Sequence, residues 1–177
     1  MNKLFFILII TLYSLTGCSG SDSSTSSGGG ATSPLSNEEV ETLVYMREEE
    51  KLARDVYRTL FNRWNLQIFN NIAASEQTHM DTLAGMLDIY GISDPVTSDS
   101  TGSFTNSALA SLYNQLIARG NISASEAIQV GILIEETDIA DLQKAILEST
   151  HDDLDRAYEN LLQGSINHLR AFTAQAN

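Results

Sequence analysis

The sequence predicts an all-α protein, a four-helix bundle of two antiparallel helical hairpins joined by a long crossover that contains a short helix. Two observations lead to this prediction. Four long stretches place apolar residues at alternating spacings of three and four, which is typical of one helix face. The breaks after the first and third stretches are short, whereas the break between the second and third is long and rich in Ser, Thr and Gly. No strand-like alternation or internal repeat competes with this interpretation.

The first hairpin should begin at a capping box. Ser36 and Glu39 have the Ser-x-x-Glu spacing that satisfies the free N–H groups at a helix start. Only Asn65-Leu66-Gln67 separates the first helix from the second, at about 68–90, so the two should run antiparallel. The inward row of the first helix is Leu43, Met46, Glu50, Ala53, Tyr57, Leu60 and Trp64. The inward row of the second helix is Phe69, Ile72, Glu76, His79, Leu83, Met86 and Tyr90.

Gly91 should end the second helix and open the crossover. A short amphipathic helix within the crossover should end at Gly120. The residues from Ser123 to Glu126 form a second Ser-x-x-Glu pattern, and residues 150–153 mark the last turn. The inward row of the third long helix is Ile128, Gly131, Glu135, Asp138, Leu142 and Ala145. The inward row of the fourth is Leu154, Tyr158, Leu161, Ser165, His168 and Phe172.

One long crossover is the connectivity of the ferritin-like bundle. At 1.5 Å per residue, the depths of polar residues in such a bundle can be compared. Glu50 precedes the first turn by about fifteen residues and Glu76 follows it by about ten, while Glu135 and Ser165 lie about fifteen residues either side of the second turn. The polar residues of the four rows should therefore meet in the middle of the bundle, to within about one turn.

Five polar side chains in these apolar rows are candidate metal ligands: Glu50, Glu76, His79, Glu135 and His168. Burying such groups costs several kcal/mol unless a partner compensates. Glu76 and His79, three residues apart, leave the same face of one helix. Carboxylate with imidazole suits iron, manganese or zinc, and a divalent cation would neutralise the converging acids. The sequence predicts one or two such ions.

Several segments resemble known families. The stretch from Glu50 to Tyr57 resembles the Glu-x-x-Ala-x-x-x-Tyr of the first helix in bacterioferritins and rubrerythrins, and Glu76 to His79 resembles their Glu-x-x-His. More closely, four runs look like the bacterial ferritin-like family catalogued as domain of unknown function 2202: residues 48–55, 75–80, 134–136 and 164–172. This resemblance covers about 37–172. It implies the ferritin-like fold and no established reaction.

The resemblance implies metal-binding roles residue by residue. Glu50 matches the first-helix ligand, Glu76 with His79 the second-helix pair, Glu135 the third-helix ligand and His168 the fourth-helix histidine. The carboxylate expected three residues before His168 is Ser165 instead. Asp138 or a water molecule could stand in for it, or a single metal ion could bind.

Each candidate ligand also has a structural interpretation. Glu76 and His79 could form a buried hydrogen-bonded pair, and Glu50 could pair with an arginine, either Arg47 or Arg170. His168 could be a core histidine whose hydrogen bonds are satisfied. Glu136, beside its own apolar stripe, could take the role given to Glu135.

The neighbours of the candidate ligands are predicted to have structural or solvent-facing roles. Glu48 and Glu49 should face water or pair with Lys51 and Arg54. Tyr57 should be a packing residue. His151, at a predicted turn, should be solvated. Asn167 and Arg170 should form a polar edge of the fourth helix, with contact to the ligands as an option.

Residues 1–18 are typical of a lipoprotein signal peptide. Leu15-Thr16-Gly17-Cys18 resembles the lipoprotein box, in which the cysteine is lipid-modified. Cys18 is the sole cysteine, so no thiolate metal site is expected. Residues 19–35 form a Ser/Gly-rich tether, and residues 36–177 the helical domain. The expected location is the bacterial cell envelope, with a lipid anchor that Ser19 favours placing in the outer membrane.

The net charge of the chain restricts the kinds of partner that it can bind. The chain has 23 acidic and 10 basic residues and a formal net charge of -13. This argues against nucleic-acid binding and against electrostatic docking on an anionic membrane, and it suits the attraction of cations.

We therefore expect an envelope lipoprotein whose bundle binds one or two iron-class ions, with an O₂- or peroxide-dependent metal oxidase as one activity that fits. The alternative is a non-catalytic, membrane-tethered helical interaction module with a degenerate metal site. The sequence decides neither whether the protein is an enzyme nor its oligomeric state, a dimer being one option.

Overall fold

The structure, a computed structural model, describes residues 33–176. This part of the chain consists of five α-helices and contains no strand. They are α1 (Asn37–Trp64), α2 (Gln67–Ile89), α3 (Ser107–Gly120), α4 (Ala124–Glu148) and α5 (Asp152–Ala176). The all-α prediction is therefore confirmed. The predicted signal peptide, Cys18 and most of the tether lie outside the described residues.

Local signals set the helix ends. The backbone N–H of Glu39 donates to Ser36 Oγ at 3.2 Å, and the backbone N–H of Ser36 donates to Glu39 Oε2 at 2.8 Å, which confirms the first capping box. Asn65 ends α1 with a left-handed φ of 53°. Gly91, which follows α2, has a φ of 64°, a conformation that glycine adopts without a steric cost.

The second capping box is only half formed. Ser123 Oγ accepts from the backbone N–H of Glu126 at 3.0 Å, as predicted. The Glu126 carboxylate, however, accepts from Nε of Arg119 at 2.8 Å. The prediction of a reciprocal bond is therefore wrong, because an arginine at the end of α3 offers a charged donor that the sequence pattern does not reveal.

The long helices pack in pairs. α1 packs along α2 and α4 along α5, each pair joined by a short turn and therefore antiparallel. α1 also contacts α4, and α2 contacts α5, so each long helix touches two others. α3 packs against α1 and α4. None of the helices in residues 33–176 combines the length and the apolar character needed to cross a membrane.

Two apolar layers enclose a polar layer. Near the α1–α2 turn, Tyr57, Phe69 and Phe172 pack together at ring-centroid distances of 5.2 to 6.0 Å. The opposite end holds a second cluster that includes Met46, Leu83 and Tyr158. Between the clusters every long helix contributes buried polar residues: Glu50, Glu76, His79, Glu135, Asp138, Ser165 and His168. The polar residues predicted to meet at mid-depth do share this level.

A buried ionic network joins the crossover to α1. Asp55, fully buried, accepts from Nζ of Lys51 at 2.6 Å, from Nη2 of Arg54 at 2.9 Å and from the backbone N–H of Gly102 at 3.0 Å. This network therefore fixes the crossover over one face of α1.

The packed structure reverses the predictions for two glutamates of α1. Glu48 and Glu49 are 3% and 6% exposed, so the prediction that they face water is wrong. Glu48 instead accepts from the backbone N–H groups of Thr105 and Asn106, at the start of α3, at 2.5 and 2.9 Å. The crossover therefore covers Glu48, whereas Glu49 lies beside Asp138 and Asp141 of α4. Periodicity in α1 alone could not predict either neighbour.

Candidate metal centre

Glu76 lies between two imidazole rings. Its Oε2 is 2.9 Å from Nδ1 of His79, and its Oε1 is 3.0 Å from Nδ1 of His168. The His79 contact follows from the three-residue spacing on α2, whereas His168 comes from α5. Packing of α2 on α5 therefore brings the two predicted histidines to opposite oxygens of one carboxylate.

The predicted ligands form two groups that share Glu76. Glu50, Glu76 and His79 each place a ligand atom within 4.8 Å of the others, and so do Glu76, Glu135 and His168. Nδ1 of His79 is also 3.3 Å from Oε2 of Glu50, and Nδ1 of His168 is 3.5 Å from Oε2 of Glu135. All five side chains are buried. The structure thus brings all five predicted ligands together.

The two imidazoles compensate part of the negative charge of the site. Burial alone would lower the pKa of His79, but hydrogen bonds to Glu50 and Glu76 raise it to about 11. Burial would also lower the pKa of His168, but Glu135 and Glu76 raise it to about 9. Burial would raise the pKa of Glu76, yet the two imidazoles hold it well below its usual value. In the metal-free protein the positive charge of the protonated histidines therefore neutralises carboxylates that a bound metal cation would otherwise neutralise.

The other carboxylates of the site lack enough positive partners. Burial, the strongest cause, together with the charge of Glu76, raises the pKa of Glu135. Burial and Asp138 raise the pKa of Glu50, although His79 opposes them. Two imidazoles thus cannot satisfy all of the buried acids, and this shortage is the electrostatic condition that favours a bound cation.

Three residues outside the predicted ligand set position the candidate ligands. The Tyr57 hydroxyl donates to Oε1 of Glu135 at 2.6 Å, so this residue does more than pack. Nε2 of His168 lies 2.9 Å from Oγ of Ser75. A Cβ built on Gly164 would lie 2.5 Å from Nε2 of His79, so glycine makes room for that ring. Tyr57 was detectable as a member of the α1 inward row, whereas Ser75 and Gly164 carried no such signal.

Buried polar atoms without hydrogen-bond partners show that these residues could bind a metal ion. Oε1 of Glu50, Oδ1 of Asp138 and Nδ1 of His168 are buried and have no hydrogen-bond partner. For His168 the 3.0 Å approach to Glu76 is an ion-pair contact that lacks hydrogen-bond geometry. Asp138 also lies within hydrogen-bonding reach of Ser165, the residue that replaces the fourth-helix carboxylate. Buried oxygen and imidazole donors without hydrogen-bond partners could hold a metal ion.

The positions of the side chains also test the alternative, structural roles of individual candidate ligands. Arg47 pairs with Asp94 at 2.9 Å and is not the partner of Glu50. Glu136 and Arg170 are exposed, whereas Glu135 is 1% exposed. Asn167 is exposed as well, so contact of this polar edge with the ligands is not seen. The buried pair of Glu76 with His79 is present, and a metal site and a structural pair both require it.

Comparison with known proteins identifies relatives without a described activity. The model of the family described as "Uncharacterized protein domain (DUF2202)" matches residues 39–177. The chain is 54% identical to "Uncharacterized protein MJ0754" of Methanocaldococcus jannaschii over 144 residues, which are 81% of this chain and 78% of that protein.

Two solved structures have a similar arrangement of helices. The crystal structure of hypothetical protein MJ0754 from Methanococcus jannaschii matches with a TM-score of 0.82 and 51% identity, and the match covers 85% of this chain and 86% of that one. A DUF305 fragment from Deinococcus radiodurans matches with a TM-score of 0.59 and 14% identity over 81% of this chain and 98% of the fragment. The second likeness concerns the fold alone.

Proposed function

The chain belongs to the DUF2202 family, and we propose that it is a ferritin-like protein whose four long helices hold two divalent metal ions of the iron class. The observation that carries the proposal is Glu76, which offers one oxygen to each of two imidazoles on different helices. This carboxylate completes both donor groups. Di-metal sites in helical bundles take a Glu from each of two helices and a Glu-x-x-His pair from each of the other two, and Glu76 with His79 matches one such pair.

Charge supports two ions rather than one. The polar layer contains four carboxylates, those of Glu50, Glu76, Glu135 and Asp138. Four negative charges are neutralised by two divalent cations when the imidazoles are neutral, as metal ligands must be. Asp138 thus supplies the carboxylate that Ser165 lacks, from α4 instead of α5.

The chain's own residues would hold and isolate the ions. Glu50 with His79 would bind one, Glu135 with His168 the other, and Glu76 both. Tyr57 fixes the orientation of Glu135 through its 2.6 Å hydrogen bond. The apolar layers on both sides exclude water from the site. Bound iron would supply one-electron chemistry with O₂ or peroxide, so a metal-dependent oxidase is the activity that we propose.

Elemental analysis of protein purified without chelator and then loaded separately with Fe(II), Mn(II) or Zn(II) tests the proposal. We expect about two ions per chain and their loss in a Glu76→Ala/His79→Ala variant. Glu136→Gln, an exposed acid on α4, is the matched control and should keep both ions. Aerobic Fe(II) oxidation above the uncatalysed rate would support the oxidase activity.

A wild-type protein that stays metal-free after all three loadings would contradict the metal-binding function. The polar layer would then be structural, in a non-catalytic helical interaction module. Retained stability after replacing Glu50, Glu76 and Glu135 with Leu would also favour the interaction module. Apolar residues of similar volume often stabilise a core as well as a buried ionic cluster does.

The location of the protein is a separate proposal. We propose that Cys18 carries a lipid that anchors the helical domain to the cell envelope. The support is the sequence pattern of residues 15–18 and the Ser/Gly-rich tether that follows it. An intact-mass measurement on membrane-extracted protein should show the lipid, and an unmodified Cys18 would contradict the anchor.

A further inference from the structure

A second group of carboxylates lies where α1 contacts α4. The side chains of Glu49 and Asp141 approach within hydrogen-bonding range of each other. Glu49 is 6% exposed, whereas Asp141 is only half-buried and reaches the surface. The pair therefore connects the protein surface with the buried face of α1.

Glu49 lacks a donor that would explain its burial. Its Oε1 accepts a long hydrogen bond, 3.4 Å, from the Tyr45 hydroxyl, and its buried Oε2 has no hydrogen-bond partner. Two ionised carboxylates cannot donate to each other, so the contact with Asp141 requires a shared proton or a cation. Lys144 lies near Asp141, but its Nζ pairs with Glu148 at 2.7 Å. The carboxylate pair that reaches solvent thus contains a buried oxygen, Oε2 of Glu49, without a hydrogen-bond partner.

A row of carboxylates links this pair to the metal centre. Glu135, Asp138 and Asp141 follow one another on α4 at three-residue intervals, a rise of about 4.5 Å per step. On α1, Glu49 is the neighbour of Glu50. The negative charge of Asp138 acts on both of those glutamates more strongly than any other single charge, so Asp138 lies near both the outer pair and the inner site. Its Oδ1 is also unpartnered.

We propose that Glu49 and Asp141 form an entry site where a divalent cation is captured at the surface and that Asp138 passes it to the inner metal centre. This inference rests on the proposed metal-binding function. The outer pair offers only oxygen donors, which exchange hard cations readily, whereas the inner centre adds imidazoles, which bind iron-class ions more tightly. Transfer from the surface inward is therefore favourable.

Cobalt(II) uptake by the full-length protein tests the entry site, because its visible absorption reports the inner ligands and needs no catalytic turnover. We expect Glu49→Gln/Asp141→Asn to load about tenfold more slowly than wild type, in the range of electrostatic steering effects. The final content should stay at about two ions per chain. The wild-type rate should fall with ionic strength more steeply than the variant rate.

The control is the double variant Asp88→Asn/Glu136→Gln, which removes the same two charges from exposed positions of α2 and α4. It should load at nearly the wild-type rate. Equal rates in the two double variants would overturn the entry site and leave the two-metal function intact. Loss of bound cobalt from Glu49→Gln/Asp141→Asn would also overturn it, because the pair would then belong to the inner centre.

A wild-type protein that takes up no cobalt would overturn the proposed function and, with it, the entry site. Circular dichroism checks that each variant folds. If the double variant does not fold, Asp141→Asn alone, at a half-exposed position, should still slow uptake about threefold, and an unchanged rate would overturn the entry site.

Discussion

The imidazole rings of His79 and His168 stack with their centroids 5.4 Å apart and their planes 26° from parallel. Their Nδ1 atoms contact different oxygens of Glu76. The two rings come from α2 and α5, so this stacking exists only when the two hairpins are packed together. It makes the two candidate ligand groups a single unit.

The shared position of Glu76 predicts unequal effects of two conservative substitutions. Glu76→Gln should reduce the metal content from about two ions per chain to near zero, because it replaces one of the two shared oxygens by an NH₂ group and removes the negative charge that both groups use. Glu50→Gln should leave about one ion, held by the Glu76–Glu135–His168 group. Elemental analysis after loading measures both. Equal metal loss in the two variants would contradict the sharing of Glu76.

Asp138 is predicted to act as the fourth carboxylate. Asp138→Asn should weaken binding of one ion by roughly 10–100-fold, as measured by competition with a chelating dye. The same change should stabilise the metal-free protein by about 1 kcal/mol or more, since it removes a buried negative charge beside Glu49 and Glu50. Urea unfolding in the presence of a chelator measures the second effect. Unchanged affinity would mean that Asp138 is not a ligand.

Gly164 is predicted to be required for the position of His79. In Gly164→Ala the new methyl group would lie 2.5 Å from Nε2 of the ring, so the ring must move and its Nδ1 contacts with Glu50 and Glu76 must change. We expect loss of about one bound ion with the helical content retained, as measured by cobalt absorption and circular dichroism. Gly85→Ala is the control, because a Cβ there meets no atom within 4 Å. The control should bind normally and gain up to about 1 kcal/mol of stability.

Asp55 is predicted to be essential for stability. Asp55→Asn removes the buried carboxylate that pairs with the fully buried Lys51 and Arg54, and Arg54 keeps only the exposed carboxylate of Asp99. Breaking a buried ion pair in this way costs about 3–5 kcal/mol. Urea unfolding should show the loss. Glu148→Gln, which breaks the exposed pair with Lys144, should cost less than about 0.5 kcal/mol. A comparable cost for both substitutions would show that the buried network does not stabilise the fold.

Glu39 is predicted to contribute to the loss of folding stability at low pH. Burial would raise its pKa, but hydrogen bonds from Thr150, His151 and Ser36 lower it to about 2. A carboxylate with a depressed pKa contributes its full stability above its ordinary pKa of about 4.5 and loses it as the pH falls toward 2. Thermal unfolding between pH 6 and pH 2 should therefore show a steeper loss in wild type than in Glu39→Gln. Parallel curves would contradict this contribution.

The His151 contact that supports this prediction is a finding of the structure. Its Nδ1 lies 2.8 Å from Oε1 of Glu39, and its side chain is 11% exposed, so the prediction of a solvated histidine is wrong. The turn before α5 folds back on the first turn of α1. This contact joins residues more than a hundred positions apart, so local sequence patterns predict only a capping role for Glu39 and a turn position for His151.

The sequence by itself determined the helices and the depth of the candidate ligands. A 3.6-residue period fixes which side chains share a face, and the position along a helix fixes their level, so Glu50, Glu76, Glu135 and His168 were predictable from spacing. The first capping box and Gly91 are equally local signals. Each depends on residues a few positions apart.

Only the tertiary structure decided what surrounds those ligands. The crossover covers Glu48 and α4 approaches Glu49, so both are buried, whereas periodicity predicted that they face water or pair with Lys51 and Arg54. Packing of α4 against α1 brings Asp138 and Asp141 to Glu49, and the approach of α5 to α2 sets Gly164 against His79. These relationships depend on rotation and distance between helices that are far apart in the chain. No local pattern encodes them, because burial is a property of the assembled surfaces and not of a single helix.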